Sequence, residues 1–282
     1  MKLFDWIKRH RWDLALVDKE WNLRFIKSPY KDRWFADPFI LSVTDEEIVL
    51  LTEEFSYKIK KGRIARLAVD RGSLTITKME IILELDTHLS FPFIMRTGND
   101  IYICPENSAS GSSTVYKYDD ETRKISPYAI NCKLPLTDAV FLRIQDNDYI
   151  FSTSIPDPNG KTLTIYRKGA PDAAYTPVQT VQFSDYVARN AGAVIERNGQ
   201  LLRPAQICDG GYGYGLGIEI QRISYKNGGF SFDAIERHFP PRGYDGMHTY
   251  NEYEGLAIVD CRCFNHPALR GALHFIKRLV KR

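Results

Sequence analysis

Two aspartates begin similar apolar segments in different parts of the chain. Asp37 opens a segment of sequence DPFIL, and Asp138 opens a segment of sequence DAVFL. Paired carboxylates that face one pocket carry out glycosyl transfer, because one acts on the incoming oxygen while the other assists departure or tunes its neighbour. The two aspartates can cooperate only if the fold brings them together. The elements around them therefore decide whether this chemistry is available.

Segments of this kind recur along the chain at intervals of about fifty residues. Each copy is an apolar run, a polar tip with Gly, Asn or Asp, and a second run in which apolar and polar residues alternate. The copies begin at Asp37, Phe91, Asp138, Ala191 and Thr249. A hairpin repeated with this period is typical of radial or solenoid β architecture. Further β-type segments between the copies give roughly four strands per repeat, which is the composition of a propeller blade.

We therefore predict an all-β fold, a five-bladed β-propeller over residues 14–264. The segment Leu14–Ile26 precedes the first copy and is expected to complete the last blade, which closes the ring. In a propeller the innermost strand of each blade runs along the central channel, so residues at its start face one shared pocket. The residues at that place in successive blades are Asp37, His88 with Pro92, Asp138, Arg189 with Asn190, and His248.

Both ends of the chain are basic and amphipathic. We predict a short amphipathic helix at each end, within the basic segment 1–13 and over residues 265–282, where Leu269, Leu273 and Ile276 fall on one face. Such a helix either lies on an anionic membrane surface or packs on the domain with a solvated basic face. No stretch approaches the roughly 20 apolar residues that cross a bilayer.

Composition limits the class of protein. The net charge of +3 on 282 residues does not require a nucleic-acid partner. The five cysteines lack a disulfide-like spacing and the N-terminus lacks a signal peptide, which predicts a cytoplasmic protein, placed at the inner face of the membrane by its basic ends. No histidine spacing predicts a transition-metal site, and no cofactor is expected, although the sequence leaves open a divalent cation in the central channel.

Three segments resemble a known superfamily. The Asp-Pro at Asp37, the third-blade Asp138 and the Gly-Met-His-Thr around His248 resemble the five-bladed propellers of glycoside hydrolase family 43, together with invertases and levansucrases. The resemblance implies that Asp37 is a general base and that Asp138 orients the catalytic acid and tunes its pKa. It also implies that His248 lies at the centre of the channel.

A closer resemblance is to the N-terminal propeller domain of plant glucosamine inositolphosphorylceramide transferases and its stand-alone bacterial relatives. Its ordered motifs extend from Trp34 to Asp260, and they contain Trp34, Asp37, His88, Glu106, Arg203, Gln206, Tyr212 and His248. The predicted catalytic residues are Asp37, Asp138 and Glu106. The predicted substrate-binding residues are Trp34, Glu54, His88, Arg189, Asn190, Arg203, Gln206, Tyr212 and His248.

The fourth blade departs from the hydrolase pattern. The resemblance implies a catalytic glutamic acid there, but Arg189 stands in its place, and Glu106 or Glu54 is a candidate replacement from a neighbouring blade. A sugar alkoxide needs a proton from an acid in order to leave. A nucleotide diphosphate instead leaves as an anion that positive charge stabilises, and Arg189, Arg203 and His248 can supply that charge.

The sequence thus predicts a glycosyltransferase that moves a sugar from a nucleotide-activated donor to a glycan or lipid-linked acceptor in surface polysaccharide assembly. A furanose such as galactofuranose is expected, because much of the resembled superfamily handles furanosyl units. Two alternatives stay open. A glycoside hydrolase of the arabinanase or xylosidase type would use Asp37 as base, Asp138 as modulator and Glu106 as acid. A non-catalytic carbohydrate-binding propeller would keep the pocket and lack the acid.

Overall fold

The structure, a computed structural model, describes residues 10–170, 173–210 and 213–264. The described chain begins with β1 (His10–Val17) and β2 (Leu23–Phe25). Blade one contains β3 (Arg33–Val43), β4 (Glu47–Ser56), β5 (Gly62–Asp70) and β6 (Thr75–Leu83). Blade two contains β7 (Ser90–Thr97), β8 (Asp100–Glu106), β9 (Ser113–Asp119) and β10 (Lys124–Cys132), with a 3-10 turn at Ser108–Ser110.

The remaining blades follow the same plan, because each is a four-stranded antiparallel sheet. Blade three contains β11 (Leu136–Ile144), β12 (Asn147–Ser154), β13 (Thr162–Lys168) and β14 (Tyr175–Gln182). Blade four contains β15 (Ile195–Arg197), β16 (Gln200–Ile207), β17 (Gly217–Lys226) and β18 (Gly229–His238). Blade five contains β19 (Tyr250–Tyr253) and β20 (Leu256–Phe264), followed by β1 and β2. The predicted five-bladed propeller is confirmed.

The two ends of the described chain meet in blade five. Strand β1 pairs with β20 in an antiparallel register that runs from His10 opposite Phe264 to Val17 opposite Ala257. Strand β2 then forms the outer edge of the same sheet. The N-terminal strands therefore close the ring, as the segment Leu14–Ile26 predicted, and the pairing begins four residues earlier than expected, at His10.

The predicted terminal helices are not borne out. Residues 10–13 of the predicted N-terminal segment lie in β1, where Trp12 packs into the core in register with Leu14 and Leu16. Residues 1–9 and the predicted helix over residues 265–282 lie outside the described residues. Within the described ranges the 3-10 turn is the only helical element, and none of those ranges holds an apolar helix long enough to traverse a bilayer.

The innermost strands of blades one, two and three carry the same irregularity. Asp37, Phe91 and Asp138 each adopt a left-handed backbone, with φ of 50°, 42° and 44°. A shift in strand register follows at each of these positions. A bulge of this kind turns the strand and re-aims one side chain, at some cost in backbone strain. The repeated bulge thus brings the start of these three copies to the channel.

The hydrophobic core lies between the blades. One cluster joins blade five to blade one through Leu14, Ile258 and Leu50, all buried. Another joins blades one, two and three through Phe39, Phe91 and Val140. Because each blade buries its faces against its neighbours, the ring holds the inner strands in fixed positions around the axis.

Candidate active site

Carboxylates from one blade hold the bulged backbone of the next. The amide N–H of Asp37 donates to Asp260 Oδ2 at 2.9 Å, and the N–H of Phe91 donates to Asp37 Oδ2 at 3.0 Å. The N–H of Asp138 donates to Glu106 Oε2 at 3.0 Å. Three acidic groups therefore have a positioning role around the channel in addition to any chemical one.

Asp37 lies at the axis and is buried, with an exposed fraction of 4%. Thr249 Oγ1 donates to its Oδ1 at 2.7 Å, and His248 Nε2 lies 3.5 Å from the same oxygen. Burial raises the pKa of Asp37 to about 7. The charge of His248 opposes this rise, whereas the nearby carboxylates of Glu53, Asp138 and Asp260 reinforce it.

His248 is fixed between an acid and an aromatic ring. Its Nδ1 lies 2.7 Å from Asp260 Oδ2, and its ring stacks on Trp12 with centroids 3.9 Å apart. Burial acts to lower its pKa, but the charges of Asp260, Asp37 and Asp138, together with the hydrogen bond to Asp260, raise the pKa of His248 above its ordinary value. The axis thus carries an Asp260–His248–Asp37 series in which the imidazole favours its charged form.

A second acidic pair lies across the channel. Arg189 Nε donates to Asp138 Oδ2 at 2.6 Å, and Arg189 Nη2 lies 3.7 Å from Glu106 Oε2. Arg189 Nη1 donates to Asn159 Oδ1 at 2.9 Å, which fixes the plane of the guanidinium. The structure therefore brings the three residues together, as the sequence predicted for Asp138, Arg189 and Glu106.

The pKa values of Glu106 and Asp138 shift in opposite directions. Burial, together with the negative charge of Asp138, raises the pKa of Glu106 well above its ordinary value. Burial also acts to raise the pKa of Asp138, but the charge of Arg189, the hydrogen bonds with Glu106 and Arg189, and the charge of His248 together lower it. Carboxyl pairs whose pKa values are pushed apart in this way divide into an acid and a base. The raised pKa of Glu106 favours its protonated form, and the lowered pKa of Asp138 favours its charged form.

Tyr214 lies beside both halves of the site. The Arg189 guanidinium lies 5.1 Å from the Tyr214 ring centroid, and the His248 ring lies 5.7 Å from it. Burial raises the pKa of Tyr214 to about 12, so the phenol stays protonated. Tyr214 belongs to the glycine-rich run 209–215, which also contains the predicted substrate-binding residue Tyr212. Tyr212 itself lies outside the described residues.

His88 and Glu53 form the edge of the pocket near Asp37. His88 Nδ1 accepts the N–H of Gly62 at 3.0 Å, which leaves Nε2 to face Glu53 Oε1 at 3.2 Å. Burial lowers the pKa of His88, but the hydrogen bond to Glu53 and the charge of Asp37 raise it overall. His88, a predicted substrate-binding residue, thus lies at the pocket, and its role in binding stays a prediction.

Glu54, the predicted neighbour, does not face the pocket. Its side chain is fully buried and is held by Arg33 Nη1 at 3.0 Å and by Arg63 at 2.9 Å. Successive residues of a strand point to opposite faces, so Glu53 and Glu54 cannot both reach the channel. Glu53, rather than Glu54, therefore faces the pocket. The prediction that Glu54 binds substrate or replaces the catalytic acid is corrected accordingly.

Asn190, Arg203 and Gln206 are fully buried behind Asp138. Gln206 Nε2 donates to Asp138 Oδ2 at 2.7 Å, and Asn190 Nδ2 donates to the Asp138 carbonyl at 2.7 Å. Arg203 Nε donates to Asn190 Oδ1 at 2.7 Å, and burial lowers the pKa of Arg203 to about 9. These contacts assign the three residues to positioning Asp138, so Arg203 does not supply charge to a ligand in this arrangement.

Trp34 lies at the start of β3, and its ring stacks on Phe55 with centroids 4.8 Å apart. It is buried, and with Trp12 and Ala36 it forms a small cluster beside the axis. The structure therefore places Trp34 near Trp12 rather than against Asp37, and its role in substrate binding stays a prediction.

Asp260, Glu53 and Tyr214 are site residues that sequence reasoning missed. Asp260 lies in β20 within an apolar run, AIVDC, where a fully buried acid is unusual. That composition was the available signal. The repeat pattern points to the first strand of each blade, whereas Asp260 lies in the second strand of its blade.

Asp37, His248 and Asp260 are close enough for one atom of each to approach a single metal ion. Asp260 does not fit this role. Its Oδ1 accepts the N–H groups of His248 and Thr249, and its Oδ2 accepts the N–H of Asp37 and faces His248 Nδ1. A carboxylate offers about four lone-pair directions, and all are used. No other such group of ligands occurs in the described part of the chain.

Comparison with known families identifies relatives over most of the chain. The family model described as glucosamine inositolphosphorylceramide transferase 1, N-terminal, matches residues 24–236. The chain is similar to glucosamine inositolphosphorylceramide transferase 1 of Arabidopsis thaliana, with 26% identity over 207 residues, covering 71% of this chain and 26% of the relative. Its namesake in Oryza sativa subsp. japonica is 26% identical over 193 residues, covering 65% and 26%. The chain thus spans about a quarter of the length of these relatives.

Solved structures with a similar fold are glycoside hydrolases. A family 43 β-1,3-galactosidase with galactodeoxynojirimycin gives a TM-score of 0.58 at 6% identity, covering 80% of this chain and 86% of that chain. An exo-β-1,3-galactanase of Phanerochaete chrysosporium with galactotriose gives 0.56 at 7% identity, covering 81% and 55%. An α-L-arabinofuranosidase of Clostridium thermocellum gives 0.53 at 14% identity, covering 79% and 80%. At these identities the likeness shows the fold alone.

Proposed function

We propose that this chain, which belongs to the glucosamine inositolphosphorylceramide transferase 1 N-terminal family, is a glycosyltransferase that takes a sugar from a nucleotide-activated donor. The observation that carries the proposal is the axial guanidinium of Arg189, held between Asp138 and Glu106. A diphosphate leaving group needs positive charge at the departing oxygen rather than a proton. An arginine fixed at the axis is suited to that task.

Asp37 is the base in this proposal. A general base works best when its pKa lies near the operating pH, and burial raises the pKa of Asp37 to about 7. In the transfer, Asp37 takes the proton of an acceptor hydroxyl while that oxygen forms the new bond to the sugar. The bond to the nucleotide diphosphate breaks, and its electron pair leaves with the diphosphate. His248, 3.5 Å from Asp37 Oδ1, stabilises the ionised base.

The test is ligand-induced stabilisation of the purified protein with a panel of nucleotides, nucleotide-furanoses and nucleotide-hexosamines. Nucleotide-hexosamines are included because the names of the relatives contain glucosamine. Nucleotide-furanoses, such as those of galactofuranose, are included because the resembled superfamily handles furanosyl units. A bound donor raises the melting temperature by mass action. We expect a shift with one nucleotide class, which Arg189→Ala abolishes and Arg189→Lys reduces. Each variant is compared with its own unliganded melting temperature, because loss of Arg189 also changes stability.

A hydrolase is the second candidate, and the raised pKa of Glu106 favours it. A carboxyl group with a raised pKa beside an ionised partner is the arrangement of a general acid. A hydrolase would release the aryl group of an aryl furanoside with no nucleotide present, and Glu106→Gln would remove that activity. Stabilisation by free sugars alone, without turnover, would instead support a carbohydrate-binding propeller.

We also propose that the protein works at a membrane surface on the cytoplasmic side, with a glycan or lipid-linked acceptor. The support is the composition of residues 265–282, which contain Arg270, Lys277, Arg278, Lys281 and Arg282. Basic amphipathic segments bind anionic lipid. Sedimentation with anionic vesicles, compared between the full chain and a variant with Lys277, Arg278, Lys281 and Arg282 changed to Gln, tests this. Equal retention of both proteins would refute it.

A further inference from the structure

A cavity of about 540 Å³ lies between the closing strands of blade five and blade one. Trp12 lines it, and the same ring stacks on His248 in the axial site. The cavity is therefore a neighbour of the candidate active site rather than part of it. Its volume falls within the range of about 300–1,000 Å³ that small-molecule sites occupy.

Aromatic side chains form much of the wall, and their positions are fixed. Tyr244 Oη donates to Asp13 Oδ2 at 3.1 Å, and its ring stacks on Phe25 with centroids 4.8 Å apart. Tyr57 Oη donates to the His10 carbonyl at 3.1 Å. Trp34 and Tyr30 complete this side of the wall. Fixed aromatic faces suit the ring of a sugar or another polyol, because they offer contact area at low cost in conformational entropy.

The charged residues of the lining are mostly cations. The basic side chains are Arg11, Lys27, Lys31 and Arg33, and the lining contains one acid, Asp13. Arg11 and Arg33 already pair with carboxylates, at 3.1 Å to Asp13 and 2.6 Å to Asp32. The cavity therefore has an excess of positive charge that resides at the two lysines.

Lys27 and Lys31 are exposed, and no carboxylate of the described residues lies within ion-pair distance of either. The backbone that carries Lys27 is fixed, because its N–H donates to the Leu74 carbonyl at 2.7 Å and its carbonyl accepts the N–H of Ile76 at 3.0 Å. Two ammonium groups thus stand at the cavity without a partner in that part of the chain.

We propose that this cavity binds a phosphate ester of a polyol, with the phosphate at Lys27 and Lys31 and the polyol ring against the aromatic wall. Charge-assisted hydrogen bonds from lysine select the phosphate, and the aromatic faces select the ring. A lipid-linked acceptor presents this chemistry as its phosphodiester headgroup. The identification of the ligand as the acceptor rests on the proposed function, whereas the binding of a polyol phosphate does not.

The experiment is calorimetric titration of the full chain with glucose 6-phosphate, glucose and inorganic phosphate. The test variant is Lys27→Met/Lys31→Met, which keeps the aliphatic stems, and the matched control is Lys133→Met/Lys226→Met, two exposed lysines outside the cavity. We expect glucose 6-phosphate to bind at least about tenfold more tightly than glucose or phosphate, and the test variant to lose about tenfold in affinity while the control loses none. Equal affinity in wild type and test variant, or equal binding of phosphate and glucose 6-phosphate, would overturn the proposal.

Phosphatidylinositol in phosphatidylcholine vesicles separates the two sources of the phosphate ester. Retention on these vesicles that glucose 6-phosphate competes away supports the lipid headgroup. Binding of glucose 6-phosphate with no such retention supports a free sugar phosphate in the same cavity. Asp37→Asn is expected to abolish turnover and leave this binding unchanged. If glucose 6-phosphate binds as expected but no nucleotide-sugar is turned over, the transferase proposal fails and the cavity stands.

Discussion

The buried environment of Asp37 disfavours the charged form of its carboxyl group. Burial raises its pKa to about 7, so the folded protein holds this proton more tightly than the unfolded chain, whose aspartate titrates near its ordinary value of 3.8. Between these two pKa values the folded state binds more protons, and its stability therefore falls as the pH rises. We expect Asp37→Asn to remove this part of the pH dependence.

The prediction is measured by urea unfolding at several pH values from 4 to 8. The free energy of unfolding of the variant, relative to wild type, should increase steadily with pH up to about 7 and then level off. The comparison reports Asp37 together with its effect on His248 and His88, because the charge of Asp37 raises the pKa of both histidines. A difference that does not change with pH would mean that Asp37 titrates normally.

Arg189 compensates the buried charge of Asp138. Removing one partner of a buried ion pair leaves an uncompensated charge and costs about 3 kcal/mol, so Arg189→Ala should destabilise the protein by that order. Adding Asp138→Asn removes the stranded charge, and the double variant should be more stable than Arg189→Ala alone. Urea unfolding of the four proteins gives the coupling energy. Additive effects would contradict the pairing.

Residue type and position in the repeat were enough to find Asp37, Asp138 and His248. They could not separate Glu53 from Glu54, because that choice depends on which face of β4 turns to the channel, and the bulge in the paired strand β3 changes the local register. Arg203 and Gln206 were identified from a motif, yet they are buried behind Asp138. A motif shows which residues are present. It does not show whether a side chain contacts the ligand or positions another side chain that contacts it.

At the scale of elements, the loop before β17 approaches the axis through Gly215. This glycine has φ of +60°, and a Cβ built on it would lie 2.5 Å from the Cβ of His248. Gly228, at the tip between β17 and β18, also has a positive φ, of +78°, but has open space around it. Substitutions at these two positions therefore distinguish the cost of backbone strain from the cost of a steric clash with His248.

We expect Gly228→Ala to cost about 1 kcal/mol from backbone strain alone, and Gly215→Ala to cost more because His248 must shift. Only Gly215→Ala should also reduce the ligand-induced rise in melting temperature, since His248 adjoins Asp37. Urea unfolding and melting curves with donor measure the two effects. Equal behaviour of the two variants would show that the loop does not support the site.

Strand pattern predicted the blades well, because hairpins with alternating polarity leave a regular signal. It predicted the N-terminal boundary less well. Residues 10–13 contain basic and aromatic residues that also fit an amphipathic segment, and only their pairing with β20 identifies them as a strand. That partner lies about 250 residues away, so no local pattern reports it.

At the scale of the whole molecule, the ring depends on β1, which covers β20 in blade five. Cys261 and Cys263 lie in β20 and are buried, as are Cys104, Cys132 and Cys208. Deleting residues 1–17 should open the ring and expose the two thiols of β20. We expect them to react with a thiol reagent much faster than in the full chain, followed by mass spectrometry, while Cys104 keeps its protection. Uniform slow reaction of all five would mean that the ring closes without β1.

Release of nucleoside diphosphate from a nucleotide-sugar donor in the presence of acceptor, followed across pH, tests whether the protein is a transferase. We expect turnover by the wild type that rises with pH through about 7, as Asp37 ionises, and no such turnover by a folded Asp37→Asn variant. Normal turnover by Asp37→Asn would contradict the role of Asp37 as the base. Hydrolysis of an aryl furanoside by the wild type, without any nucleotide, would show that the protein is a hydrolase instead.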